Sequence, residues 1–564
     1  MSHVRLSRSP YLRFGFAFGI VVILILAGLS LLAIFALPQL RGNQQKIVQL
    51  SSEFSQTILG IQDSPNAKPI ENVQFENATG PLRVNPANPR YFTDNTGKAI
   101  LLAGDHTWYT LQDGGSVDPP PALDYDEYLD FLQSQNINFF RFFIFEQAKW
   151  SALVGSEWYY SPTIYQRTGP GIALDGKPKF DLTQFDQPYF DRLRERVIQA
   201  DQRGIYVSIQ LFEGFSVENK PAGSSPASPW PGHPFNMKNN INDIDGDPDR
   251  DGNGTETETL AIPEITSFQE AYVRKVIDTV NDLDNVLFEI CNESSAGAAQ
   301  TEWQNHMIDF IHNYEAGKPK QNPVGFTVQW PGGSNKDLFT SNAEWISPNS
   351  DGGYFDDPPA TEGIKVILND TDHLCYPCGN RAWAWKSFVR GYNPAFMDPY
   401  DCNGDPSPAG CNPNEPTWVS LRRNLGYILT YATRMNLVKM TPRPELCSTG
   451  YCLANPTPTG AEYLIYLPTG RTATALLDKL GKNKKLELYL PADSHVTVDL
   501  SATSEILKVE WFNPDYGTTT DGGTVTGGGI QSFTAPFGGD AVLYLYSTSR
   551  HVDTRRFYLT MLSR

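Results

Sequence analysis

At 564 residues the chain is too long to form one hydrophobic core, so two or more domains are expected. A hydrophobic content of 40% with 12% aromatics excludes general disorder. The formal net charge of -18 argues against a nucleic-acid partner, because phosphate backbones are met by basic surfaces.

Residues 14–37 are an apolar run relieved only by Ser30 and glycines, behind Arg5, Arg8 and Arg13. The run is long enough to span a bilayer, exceeds a signal-peptide core, and is followed by no small-x-small cleavage site. With the positive residues ahead of the span, the N-terminus should stay in the cytoplasm and the bulk should be exported. The expectation is a cell-membrane protein with a single-pass anchor in residues 1–38, uncleaved, and a polar linker over 39–81. Nothing in the sequence speaks to oligomeric state.

From residue 82 the pattern is globular. A hairpin turn over 90–97 leads into eight short apolar strands, expected at 99–103, 138–145, 205–212, 286–291, 324–329, 345–348, 365–369 and 394–397. Amphipathic helices are expected between them at 124–135, 190–203 and 268–283, and after them at 421–435. Eight strand-then-helix units predict a (β/α)8 TIM barrel over residues 82–455. An open doubly wound sheet is the alternative, but no glycine-rich phosphate loop follows the first strand. Alternating strands over 456–547 predict a small antiparallel β-sandwich, and 548–564 is a short basic tail.

Of seven cysteines, six fall into close pairs, Cys375 with Cys378, Cys402 with Cys411, and Cys447 with Cys452. In an exported chain such pairs predict loop-pinning disulfides, with Cys291 left as a buried thiol. A zinc site at Cys375 and Cys378 lacks a second ligand pair.

The chemistry concentrates in Asn285-Val-Leu-Phe-Glu-Ile-Cys-Asn-Glu293, a strand that ends on an asparagine and a glutamate. Carboxylates at the C-terminal ends of barrel strands sit where barrel enzymes work. Retaining hydrolysis of a glycosidic bond needs two carboxyls, one acid/base and one nucleophile. Glu293 supplies the acid, and strand seven offers Asp370, the first choice as nucleophile, and Asp372, the reserve. Glu289, deeper in its strand, calls for a cation, and Arg141 on strand two is the obvious donor. Groups at other strand ends would complete a sugar-binding mouth: Asp105, His106, Trp108, Arg141, Glu213, Trp330, His373, Asp398 and Tyr400. Between strands three and four, Asp247, Asp249, Asp251, Gly252, Asn253 and Glu258 follow the spacing of a calcium-binding loop. A structural calcium ion is therefore expected, with no cofactor for catalysis.

These residues together resemble the apiosidase-like glycoside hydrolases of the clan A barrel superfamily over about residues 82–547. The marks are Leu101-Leu-Ala-Gly-Asp-His-Thr-Trp108, Asn138-Phe-Phe-Arg141, Phe288-Glu-Ile-Cys-Asn-Glu293, Ile367-Leu-Asn-Asp-Thr-Asp-His373 and Asn393-Pro-Ala-Phe-Met-Asp-Pro-Tyr400. The resemblance implies that Glu293 is the acid/base and that Asn292 contacts the sugar 2-hydroxyl. Where the clan offers a glutamate nucleophile this chain has aspartates, and a wider carboxyl gap would admit water and favour inversion. The sandwich resembles a module named for collagen binding.

The leading expectation is thus an exported, membrane-anchored glycoside hydrolase acting on O-glycosidic bonds of poly- or oligosaccharides, with retention. The alternative is a non-catalytic carbohydrate-binding or adhesive surface protein on the same scaffold. A metal-dependent hydrolase is disfavoured, because the eight histidines form no close ligand cluster.

Overall fold

A computed structural model describes residues 67–70, 77–153, 156–220, 228–375, 378–400, 412–469, 471–476, 485–490 and 494–549. The apolar segment 14–37, most of the linker, Cys402, Cys411 and residues 550–564 lie outside the described residues. Among the described residues no helix is long and apolar enough to cross a membrane.

Eight parallel strands close into a barrel in chain order. They are β1 Gly104–His106, β2 Phe139–Phe142, β3 Tyr206–Glu213, β4 Val286–Asn292, β5 Val324–Thr327, β6 Trp345–Ser347, β7 Val366–Asp370 and β8 Asn393–Met397. Closure comes where β1 pairs with both β2 and β8. Strands β3 and β4 are buried along their whole length, which is why they read as apolar runs rather than alternating ones. The covering helices include α1 Tyr125–Ser134, α2 Gln187–Asp201, α3 Pro263–Val280 and α4 Ala298–Glu315. Asp124 starts α1 by accepting from the Glu127 backbone N–H at 3.0 Å. Helices α2 and α3 begin earlier than their apolar periodicity suggests, because a proline opens each.

The first strand differs from expectation. Ile100 pairs backward with Phe92, and Leu102 packs with Leu82, Phe92, Phe139, Leu287 and Trp345. Ile100 and Leu102 therefore seal the end of the barrel while Leu101 and Ala103 join the main core, and the strand itself is the polar Gly104–His106. Asp105 and His106 lie within it, not after it.

A three-stranded antiparallel sheet, Asp113–Gly115, Lys149–Leu153 and Ser156–Ser161, stands between the early strands. Beside it a cluster of Tyr109, Phe143, Phe145, Trp158 and Tyr160 packs against Met397, at the end of β8.

The C-terminal module is built on a seven-stranded antiparallel sheet containing Thr441–Pro442, Cys452–Asn455, Glu462–Leu467, Ile506–Asn513, Thr518–Thr526 and Ala541–Ser547. Lys68–Pro69, far away in sequence, adds the outer strand against Thr518 and Thr519. Side chains of one parity, such as Tyr463, Leu543 and Leu545, share a core with Val496 and Val498. Those of the other parity, Tyr466, Phe512 and Tyr544, join the barrel's own core. Trp385 of the helix Arg381–Val389 lies 5.8 Å from Phe512 and stacks on Tyr466, with centroids 6.2 Å apart. Glu510 accepts from the Tyr431 hydroxyl at 2.7 Å and pairs with Arg434 at 2.8 Å. One sheet thus belongs to two cores.

Of the expected disulfides, Cys375–Cys378 is formed. Cys447 and Cys452 are free thiols, which corrects the expectation of a bond there. A hydrogen bond from Cys452 instead brings the Cys447 thiol down to about 7. Cys291 is buried and free, as expected.

Because barrel and sandwich share the Trp385–Phe512 packing, Phe512→Ala should cost about 3–5 kcal/mol, the usual range for an aromatic core truncation. Calorimetry should still show a single melting transition, lowered in temperature; two separated transitions would mean that the modules unfold independently.

Candidate active site

Arg141, on β2 and almost fully buried, organises the C-terminal mouth of the barrel. Its Nε and Nη2 donate to the two oxygens of Glu289, at 2.8 and 2.6 Å. Nη2 also donates to Asn292 Oδ1 at 2.7 Å. Nη1 donates to Asp370 at 3.2 Å and to Asp372 at 2.9 Å. Burial alone would weaken the guanidinium's hold on its proton, but the charges of Glu289 and Asp370 raise it well above normal. The expected strut of Arg141 and Glu289 is present.

Asp370 ends β7 and is sealed from solvent. His106 Nε2 lies 2.9 Å from both of its oxygens, and the Asp372 backbone N–H donates to it at 3.0 Å. Burial would push its carboxyl up, yet His106 and Arg141 hold it well below the ordinary carboxylate range. Asp372 lies one step further out, in the short helix Thr371–Cys375, where its side chain keeps 9% exposure. Asp370 is an anchored strand residue, and Asp372 is the less buried of the two.

Glu293 follows β4 with φ of +45°, a left-handed conformation that side chains other than glycine rarely adopt. Gly214 fits directly against its peptide; a Cβ there would lie 2.0 Å from the Glu293 carbonyl oxygen. Among the described residues no side chain hydrogen-bonds the Glu293 carboxyl. Burial pushes that carboxyl well above its ordinary value, and the charges of Asp372 and Glu213 push further. Glu293 thus keeps its proton where an exposed glutamate would have lost it.

Asn292 has partners at both ends of its amide. Its Oδ1 accepts from Arg141 and faces His373 Nε2 at 3.1 Å, while its Nδ2 donates to Glu213 at 3.2 Å. Burial pushes His373 down, so its ring is neutral. Ser347 Oγ lies 2.7 Å from the other ring nitrogen, leaving Nε2 to carry the hydrogen toward Asn292. Glu213 pairs with Asn292 in strand register and accepts from Gln210 at 2.7 Å and from the Phe215 backbone at 2.9 Å. Burial raises its carboxyl to about 8. Trp108 is half-buried against the aromatic cluster, and Trp330 stacks on Phe215 with centroids 6.0 Å apart.

Three expected mouth residues are elsewhere. Phe396, the strand partner of Asp105, packs on Trp418 in the helix layer, and Asp105 faces the same way. Asp105 is wholly buried; burial and then Asp398 raise its carboxyl well above normal. Asp398 is a buried ion-pair partner of Arg422. Tyr400 packs on Tyr128 and Phe131 of α1. Strand alternation turns Asp105 away from the barrel interior, and Asp398 and Tyr400, beyond the end of β8, pack onto the helix layer.

In the acidic loop, carboxylate oxygens of Asp247, Asp249 and Glu256 lie within 4.8 Å of one another. Asp251 and Glu258 are not in that group, and Glu256 takes the place expected of Glu258. Asp251 accepts from the Asn253 backbone at 2.8 Å. The tight turn Thr255–Glu258 directs Glu258 inward, where Ser295 N donates to it at 3.0 Å and burial raises its carboxyl to about 7. Sequence reasoning also missed Glu218, Lys220 and Ser295. They sit in connections of no fixed period, and only the fold shows that they meet beside Glu293.

Residues 151–330 match a family model described as "Domain of unknown function (DUF6298)", a span holding Glu213, Glu293 and Trp330. Residues 482–546 match one described as "Putative collagen-binding domain of a collagenase". No curated protein matches the chain. A glycoside hydrolase family 5 structure from Bacteroides vulgatus ATCC 8482 is similar at 13% identity, covering 86% of this chain and 97% of the other, with a TM-score of 0.51. A structure titled "Glycoside hydrolase" is also 13% identical, covering 84% and 98%, with a TM-score of 0.50. At this identity the likeness is one of fold.

The two aspartates should separate by stability. Asp370→Asn breaks a buried charge network and should cost about 3 kcal/mol. Asp370 is held low in the folded chain, so its contribution is present above the unfolded value and lost as pH falls. The melting gap to wild type should therefore be full above about pH 4 and close below it. Asp372→Asn should melt within a few degrees of wild type, because losing that charge relieves Glu293 and Glu213. Equal losses at pH 7 would contradict the assignment.

Proposed function

We propose that the chain is a glycoside hydrolase, cleaving O-glycosidic bonds in poly- or oligosaccharides with Glu293 as acid/base and Asp372 as nucleophile. The observation that carries the reading is a pair of carboxyls with opposite environments on one barrel mouth. Glu293 is buried, without a hydrogen-bond donor among the described residues, and pushed toward its protonated form. Asp372 is paired with the Arg141 guanidinium at 2.9 Å, which favours its ionised form. Pairs set apart in this way divide acid from nucleophile in glycosidases.

In this reading Glu293 gives its proton to the departing oxygen while Asp372 attacks the anomeric carbon. The resulting glycosyl ester is then hydrolysed by water that the Glu293 carboxylate deprotonates, with net retention. Arg141 orients Asp372, and Asn292 divides its two Nδ2 hydrogens between Glu213 and the sugar 2-hydroxyl. The motifs around Arg141, Asn292 and Asp372 support an apiosidase-like relationship. Export and anchoring through residues 14–37 complete the reading, with support from the charge pattern ahead of that segment.

A calcium ion at Asp247, Asp249 and Glu256 belongs to the same proposal. Asp247 Oδ1 and Glu256 Oε2 are buried without hydrogen-bond partners. Burial raises both carboxyls, and neighbouring acids add to it, which is the condition a hard cation relieves.

Screening the portion beyond residue 38 against plant and microbial oligosaccharides, with the product anomer followed by NMR, tests substrate class and stereochemistry together. Glu293→Gln should lower turnover by roughly 100-fold or more while sugar binding persists. Unchanged turnover would end the assignment, and an inverted product would remove Asp372 as nucleophile. Separately, a chelator should lower the melting temperature and added calcium restore it; identical melts would leave the loop without an ion.

A further inference from the structure

If Glu293 is the acid, the leaving group must lie on its flank, between the loops that follow β3 and β5. Those loops carry Phe215 and Trp330, whose rings are stacked with 10° between their planes. Trp330 is only partly buried, so this pair presents an aromatic face beside the acid. The apolar face of a sugar ring is the chemistry that fits such a platform.

Beneath it lies Lys220, with its side chain wholly buried. Its ammonium donates to the Trp330 carbonyl oxygen at 2.7 Å and to Glu218. Glu218 in turn accepts from Ser295 Oγ at 2.6 Å. The peptide beyond Glu293 is gripped from other sides as well. Trp330 N donates to Ser294 O at 3.0 Å, Gln304 to Ser294 Oγ at 2.7 Å, and Ser295 N to Glu258 at 3.0 Å. These bonds surround the one residue of the strand end that holds a left-handed backbone. A conformation of that kind persists only where its surroundings over-determine it.

We propose that Lys220 is a positioning residue, tying the Trp330–Phe215 platform through Glu218 and Ser295 to the Glu293 turn, so that a leaving-group sugar and the acid are held as one unit. This rests on the glycosidase reading and extends it to a leaving-group subsite for a carbohydrate. The charged and titratable groups that face Glu293 are Asp372, Glu213, Lys220 and Arg141. Lys220 favours the ionised form of Glu293, so its loss should raise the acid's proton affinity.

The test compares Lys220→Met with wild type on two kinds of substrate: the oligosaccharide that the chain cleaves, and the 2,4-dinitrophenyl glycoside of the same glycone. The aryl compound needs no proton to depart and brings no sugar to the platform. kcat/KM on the oligosaccharide should fall by roughly 100-fold, and on the aryl glycoside by no more than about 3-fold. The alkaline limb of the oligosaccharide pH profile should move upward. Equal losses on both substrates, no loss on either, or an unmoved limb would overturn the proposal. Ser295→Ala cuts the same link with a smaller change and should show the same selectivity for the oligosaccharide, more weakly. Crystal structures of either variant should show Trp330 off its stack on Phe215 or Glu293 out of its left-handed turn; both intact would overturn the clasp. Full turnover by Glu293→Gln would instead remove the glycosidase reading itself, which keeps the two failures distinct.

Discussion

The mouth of the barrel depends on one guanidinium. Arg141 meets Glu289, Asp370 and Asp372, and also Asn292, with donors set in a rigid plane. Three carboxylates around one cation leave a negative surplus in a buried place. A further acid buried nearby meets that surplus on top of its own desolvation, and both favour its protonated form. Glu213 and Glu293 are those acids, both raised by burial and by the neighbouring charge of Asp372. The acidity of the site is thus set first by burial and then by the carboxylate surplus around Arg141. A second arginine beside Glu293 would ionise it and remove the proton that general-acid chemistry needs.

The barrel itself was legible because its strands are short apolar runs at regular spacing, and the helices between them carry an apolar stripe. Seven of the eight strands overlap their expected places. The exception shows what periodicity misses. The run 99–103 is apolar because it plugs the barrel's end and joins the main core, whereas the true first strand is polar and held by its neighbours. Hydrophobicity marks burial, and burial comes in more than one kind.

Within the site, legibility depended on parity. Asp105 and His106 are adjacent in sequence, and both were assigned to the mouth, yet neighbours on a strand point to opposite faces. His106 reaches Asp370, while Asp105 faces the helix layer with Phe396. The same alternation separates Met397, in the aromatic cluster at the mouth, from Asp398, which is bound to Arg422. On β7 the choice of Asp370 followed the strand end, but the last strand residue still points into the barrel layer that Arg141 occupies. The less buried carboxylate, Asp372, belongs to the helix beginning after it. Parity was available in the sequence, whereas the inward turn of Glu258 was not, because it depends on a tight turn within a loop.

The backbone of Glu293 links these features. A left-handed glutamate costs of order 1–3 kcal/mol, and β4 alone supplies nothing to hold it. The restraint comes from both sides: Gly214 after β3 closes against its carbonyl, and Trp330 after β5 donates to Ser294. Neither contact touches the carboxyl group. The side chain is therefore aimed by its peptide, and among the described residues no donor competes for its oxygens. An acid fixed by hydrogen bonds to its carboxylate would be fixed in the ionised form. Holding it through the backbone preserves the proton and still specifies where it points.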